Sequence, residues 1–242
     1  MTGAVGQGAT AAQIRLQLEA LGSPEAAAFA MGFFKTGPGQ YGEGDLFRGI
    51  RVPVLRSLAR NTGEVTLTET LELLSSAYHE DRLVALLFMM RRFAKGSGRE
   101  KETVYDSYLS NTRFINNWDL VDISAPHIVG SHLSERPRTP LYRLAASGSL
   151  WERRIAIVST HCFIRKRDFA ETFAIAELLL EDREDLIHKA AGWMLREAGK
   201  KDEEALEGFL AEQYRRMPRT MLRYAIERFP EERRQRYLKG EI

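Results

Sequence analysis

Five apolar stretches of this chain recur at a nearly constant distance, and that period limits the fold more than any other feature. Aligned on Ala85, Leu120, Ala156, Ala191 and Ala225, they are separated by 35, 36, 35 and 34 residues. A unit of this length holds about two helices and cannot bury its apolar face alone, so neighbouring units must stack. The period predicts an all-α solenoid, one superhelical domain over residues 1–242, with a flexible stretch at residues 1–10.

Local signals agree with the period. RLVALLFMMRRF, RRIAIVSTHCFI, HKAAGWMLRE and RTMLRYAIERF carry apolar residues at three- and four-residue spacing. Ser23-Pro24-Glu25 and Thr139-Pro140 read as caps followed by proline in the first turn, and Pro218 and Pro230 mark two more helix starts. HEAT-type repeats usually run somewhat longer, so this is a compact variant. KTGPGQYGEGD, residues 35 to 45, is the one long irregular stretch and reads as a loop. Gly37 to Gly42 matches GxGxxG, but a helical pattern precedes it and Pro38 interrupts it, which excludes a dinucleotide turn.

Composition narrows the function classes. With 35 Lys and Arg against 33 Asp and Glu, net charge is only +2. Nucleic-acid binding must then come from where the cations stand, not from gross excess. The single cysteine, Cys162, excludes an intramolecular disulfide and fits a reducing compartment. The five histidines form no HxH or HExxH pattern, so no metal and no cofactor is expected. The start lacks a basic region followed by an apolar core, and no apolar run reaches ~18 residues. A cytoplasmic protein without membrane contact is expected.

The repeat alignment also places side chains. Two residues before the alignment points stand Leu83, Trp118, Arg154, Lys189 and Arg223; two after stand Leu87, Asp122, Val158, Trp193 and Glu227. Each pair is spaced i, i+4 and shares a helix face. Arg153 and His188 fall one position earlier than Arg154 and Lys189. Singly, each residue has a structural explanation: tryptophan as core filler, aspartate at a helix start, tandem arginines as a solvated face or an ion pair between repeats. Together they form a basic and aromatic groove holding one carboxylate, suited to phosphates, sugars and bases. Pro126 should kink the helix that carries Asp122, or break it and start another.

At these residues the chain resembles the AlkD-like DNA alkylation-repair glycosylase family. The similarity lies in Trp118-Asp119-Leu120-Val121-Asp122, in Trp151-Glu152-Arg153-Arg154-Ile155-Ala156-Ile157, in Lys189-Ala190-Ala191-Gly192-Trp193-Met194-Leu195-Arg196-Glu197, and in FFKTGPGQYGEGDLFRGIRVPVLR. It extends from about residue 25 to residue 230. The resemblance implies HEAT-like helical repeats and hydrolysis of the N-glycosidic bond of N3- or N7-alkylated purines, such as 3-methyladenine and 7-methylguanine, in duplex DNA. It gives the catalytic carboxylate to Asp122, lesion contacts to Trp118 and Trp193, and a phosphate contact to Arg154, with Arg153 second. His188, Lys189 and Arg223 complete the expected DNA-binding set. Phe33, Phe34 and Tyr41 compete for an amino-terminal aromatic contact.

The chemistry is consistent with this resemblance. An alkylated purine is already cationic and departs without a general acid, so one carboxylate suffices to stabilise the sugar cation or orient water. The expected protein is a monomer acting on damaged duplex DNA with no obligate protein partner. Two other readings stand beside it. One is a non-catalytic DNA-binding relative that recognises unusual DNA; the other is a protein-binding scaffold, which predicts an apolar or acidic face instead.

Overall fold

The computed structural model describes residues 8–242. The chain divides into two compact units, one ending at Leu120 and one beginning at Val121. The first holds α1 (Ala11–Ala20), α2 (Pro24–Phe33), α3 (Val52–Asn61), α4 (Leu67–Leu74), α5 (His79–Lys95) and α6 (Gly98–Leu109). The division falls inside α7 (Trp118–Ala125). The second unit continues with a π-helical turn (Pro126–Gly130), α8 (Ser131–Leu133), α9 (Thr139–Ala145), α10 (Leu150–Ser159), α11 (His161–Ile164) and α12 (Ala170–Leu178). It ends with α13 (Asp185–Gly199), α14 (Glu203–Gln213), α15 (Arg219–Ala225) and α16 (Glu231–Lys239). Among the described residues there is no strand, only an isolated bridge between Leu46 and Tyr78.

The all-α helical-repeat fold is what the sequence period requires. Ala85, Leu120, Ala156, Ala191 and Ala225 fall on α5, α7, α10, α13 and α15, and each is at most 1% exposed. In the second unit α9 packs on α10 and α12 on α13, while α10, α13 and α15 pack on one another in order. The inward stripe of α13 is Ile187, Ala190, Ala191, Met194, Leu195 and Ala198, spaced for a period of 3.6. Fully burying each large member contributes about 1.5–3 kcal/mol. Gly192 sits where a side chain cannot: a Cβ there would lie 2.5 Å from the Met221 carbonyl oxygen and 2.5 Å from Tyr224 Cβ. The glycine lets α13 and α15 approach closely.

In the first unit α5 is central, packing against α1, α3, α4 and α6. Its first eight residues, His79 to Leu86, are all buried, including four that are polar or charged. The expected flexible amino terminus is only in part described. Ala9 N–H donates to the Glu64 carbonyl at 3.0 Å and Thr10 forms a capping box with Gln13, while residues 1–7 lie outside the described residues.

Helix starts follow the proline signals with small offsets. Ser23 Oγ accepts from Ala26 N–H, with Pro24 in the first turn of α2. Thr139 is instead the first residue of α9, and Arg138 holds the cap position without a side-chain cap bond. Pro218 and Pro230 each stand one residue before their helix. At Pro126 the helix neither ends nor bends as a simple kink. Proline cannot donate to the Asp122 carbonyl, and the chain absorbs the loss in one widened turn in which Ser131 N–H reaches the Pro126 carbonyl. Ser131 Oγ donates to the same carbonyl at 3.1 Å.

Candidate functional site

Asp119 and Asp122 lie three residues apart on α7, and their side chains serve different units. In the first unit, Asp119 Oδ2 lies 2.8 Å from Nε2 of the buried His79. Asp45 approaches the other ring nitrogen at 4.0 Å and pairs with Arg82 at 2.7 Å. Asn116 donates to Asp45 at 3.0 Å. One buried and one partly buried carboxylate thus face one imidazole.

The whole start of α5 is built this way. Glu80, 3% exposed, accepts the backbone N–H groups of Arg48, Gly49 and Ile50 at 2.9, 2.8 and 3.2 Å. Asp81, fully buried, takes two donors from Arg48 at 2.7 and 3.1 Å and the Ser76 hydroxyl at 2.8 Å. Gly49 makes the approach possible: its φ is +76°, and a Cβ there would strike Ser23 O at 2.3 Å and Ala27 N at 2.4 Å in α2. The segment after the Gly/Pro-rich loop is therefore clamped between α2 and α5.

Aromatic rings cover this network. Phe34 stacks on Phe47 (centroids 5.1 Å apart) and on Trp118 (5.5 Å), and Phe33 meets Trp118 edge-on at 6.0 Å. Of the three amino-terminal aromatics, Phe33 and Phe34 both reach Trp118, and the Tyr41 hydroxyl donates to the Phe33 carbonyl at 3.5 Å. A mainly apolar cavity of about 540 Å³ adjoins the cluster, lined by Phe34, Phe47, Ile50, Leu55 and Leu83, with His79, Glu80 and Asp119 among its polar residues.

His79 makes this network sensitive to pH. Burial works to lower its pKa, but the hydrogen bond to Asp119 and the nearby Asp45 carboxylate outweigh it and raise the value above the ordinary 6.5. Burial likewise opposes ionisation of Asp45, yet His79, Arg82 and Asn116 bring its pKa below 3.8. A raised histidine value adds stability that is complete below about 6.5 and is lost as pH rises through the folded value. The depressed carboxylate adds stability above 3.8 that is lost as pH falls through its folded value. The urea midpoint should therefore fall as pH rises from about 6.5, and His79→Gln should flatten that limb. A wild-type midpoint constant from about pH 6 to 9 would contradict it.

In the second unit Asp122 is held by Arg154. Arg154 Nε donates to Oδ1 at 2.9 Å and Nη2 to Oδ2 at 2.8 Å, while Nη1 donates to the Leu186 carbonyl at 2.6 Å. The arginine side chain is 6% exposed and the aspartate 17%, so one edge of the carboxylate meets solvent. The sequence reading gave Arg154 to a phosphate; its guanidinium instead lies across Asp122. Adjacent residues on a helix point about 100° apart, and Arg153 accordingly turns to Asp182 at 2.6 Å and to the Ser147 and Gly148 carbonyls.

The other expected residues are on the second-unit helices, and His188, Lys189 and Trp193 have neighbours there. His188 Nε2 contacts the Asp182 carbonyl at 2.7 Å, so Arg153 and His188 converge on one residue. Lys189 pairs with Asp185 one turn away on α13 at 2.7 Å. Arg223 is exposed on α15. Trp193 is half-buried, with the His161 ring 6.2 Å away. Burial lowers the His161 pKa despite nearby Glu197, favouring the neutral ring.

Sequence reasoning missed His161 beside Trp193 and the buried charges at the start of α5. The second had a visible signal: His79-Glu80-Asp81-Arg82 leads directly into an unbroken apolar run, Leu83 to Met90. Among the described residues no group of three or more His, Cys, Asp or Glu could hold a metal ion. Nor is any described helix long and apolar enough to cross a membrane.

Stacked helix pairs define an all-α repeat protein, and one of its helices carries a partly exposed carboxylate clamped by arginine. The family described as DNA alkylation repair enzyme matches residues 14–229, and the chain belongs to that family. A solved structure, a predicted DNA alkylation repair enzyme from Enterococcus faecalis, shares the fold with a TM-score of 0.67 at 19% identity. The similarity covers 87% of this chain and 97% of that one. No curated protein matches.

Proposed function

We propose that this chain is a monofunctional DNA glycosylase that hydrolyses the N-glycosidic bond of cationic N3- or N7-alkylated purines in duplex DNA. The observation that carries the reading is the Asp122 carboxylate, gripped at both oxygens by Arg154 and still partly open to solvent. In the reaction the bond from the sugar C1′ to the purine nitrogen breaks, and its electron pair neutralises the cationic base. The sugar is left electron-poor, and water adds to C1′ and releases a proton. A fixed carboxylate stabilises that cation and orients the water. Orientation is the role of Arg154 here, because a bidentate pair removes the freedom of the aspartate side chain.

Trp118 and Trp193 supply flat apolar surface for the damaged nucleotide, and Arg223 a phosphate contact. Lys189, already paired with Asp185, is a poor Schiff-base nucleophile, in keeping with base release without strand cleavage. Release of 3-methyladenine and 7-methylguanine from methylated duplex, identified by chromatography, tests the reading. Duplex binding without release would favour the non-catalytic relative.

Arg154→Gln separates positioning from phosphate binding. The change should slow base release and cost about 2–3 kcal/mol of stability, below the full value for a buried pair because Asp122 is partly exposed. The salt dependence of duplex binding should stay as in wild type. A flatter slope would return Arg154 to a phosphate.

A further inference from the structure

We infer that the first unit carries a dedicated phosphate-backbone site for duplex DNA, formed by Arg56, Arg60 and Lys95 in the groove between α3 and α5. The inference rests on the DNA reading above but not on base release.

The argument starts from where unspent positive charge stands. Arg153, Arg154 and Lys189 are each held by a carboxylate, so they offer little to a polyanion. Arg56, Arg60 and Lys95 are exposed, and none is in an ion pair among the described residues. They line a recess of about 300 Å³ whose walls include Arg91 and no acid. A second recess of about 480 Å³ shares Arg60, Arg91 and Lys95 and adds Arg92; of its two acids, Glu100 is engaged in the Ser97 capping box.

The groove is also preorganised. Arg91 donates to the Ala59, Thr62 and Gly63 carbonyls at 2.7, 2.9 and 2.7 Å, fastening the end of α3 to α5. Arg56 and Arg60 are spaced i, i+4 on α3, as are Leu87, Arg91 and Lys95 on α5. Each step is a rise of about 6 Å along one face. In the repeat alignment of the sequence Leu87 is the equivalent of Asp122, so Arg91 and Lys95 follow on the same face of α5 at four-residue steps. Two rows of cations on rigid helices suit a regularly charged backbone and carry no base information. In a chain of net charge +2, three exposed cations without an ion pair around one acid-free recess form an electrostatic footprint for nucleic acid.

The test uses the triple variant Arg56→Gln/Arg60→Gln/Lys95→Gln, with Arg91 left in place to hold α3. Binding to undamaged and methylated duplex is measured from about 50 to 200 mM salt. Each phosphate contact contributes a slope of about −0.9, so losing three should reduce the slope by about 2.7. Wild type should then lose about 40-fold more affinity than the variant over that range. The charge-retaining variant Arg56→Lys/Arg60→Lys/Lys95→Arg should keep the wild-type slope, and all three proteins should melt alike.

An unchanged slope in the glutamine variant overturns the site. So does a lowered melting temperature with an unchanged slope, which would assign the cations to the helix ends they flank. A loss of binding to anionic phospholipid vesicles without loss of duplex binding overturns it in favour of a membrane surface. Wild type that binds duplex with the expected slope but releases no base leaves this site standing and removes the glycosylase reading; wild type that binds no duplex removes both.

Discussion

Asp122→Asn is expected to slow single-turnover release of 7-methylguanine by about 10²–10³-fold, equivalent to roughly 2.7–4 kcal/mol for one well-placed electrostatic group. The lower end is favoured because a cationic purine already leaves readily. Asparagine keeps the shape and one acceptor for Arg154, but removes the charge that faces the developing sugar cation. It also leaves a guanidinium that is 6% exposed without its counter-charge. A stability loss of about 1–2 kcal/mol should therefore accompany the rate loss. Rates must be compared with saturating enzyme well below both melting temperatures, where folding no longer limits release. Duplex affinity should change little. An asparagine variant that is folded and as fast as wild type would take catalysis away from Asp122.

Glu80→Ala should produce the largest stability loss in the first unit, about 3–5 kcal/mol by urea denaturation. One buried carboxylate satisfies three consecutive backbone N–H groups, and alanine leaves all three without that acceptor. Glu80→Gln retains an acceptor oxygen for Gly49 and Ile50, both of which bond to Oε1, and should lose less than half as much. Equal losses in the two variants would mean that the negative charge beside Arg48 and Arg82, not the backbone bonds, is what matters.

Helix content and repeat period were legible because both depend on spacing along the chain. Ala156, Ala191 and Ala225 identify stacked helices since burial on a period of 3.6 leaves its mark in composition. The membership of Asp122 in a tryptophan-flanked helical motif was legible for the same reason. Partner choice was not. Nothing in Arg153-Arg154 says which guanidinium meets Asp182 and which meets Asp122, because those acids stand 29 and 32 residues away from their partners in sequence. The clamp of residues 45–50 by α5 was hidden for a second reason. A run such as His79-Glu80-Asp81-Arg82 ordinarily signals a solvated helix start, and only long-range backbone donors make its burial tolerable. The cations of α3 and α5 escaped because the repeat alignment, anchored on apolar positions, begins only at α5.

The widened turn at Pro126–Gly130 has an arithmetical side. A π turn is the form in which a helix takes in one residue more than its α-helical register allows. The interval that contains it, from Leu120 to Ala156, is 36 residues, the longest of the four. The turn thus behaves as a single-residue insertion accommodated in place, with the surplus confined to one turn and the helix unbroken. Deleting one residue there would restore ordinary winding but turn everything beyond it by about 100°. His132 and Leu133, now buried, would swing off the inner face. The number of residues in this segment is therefore as much a part of the fold as their identity.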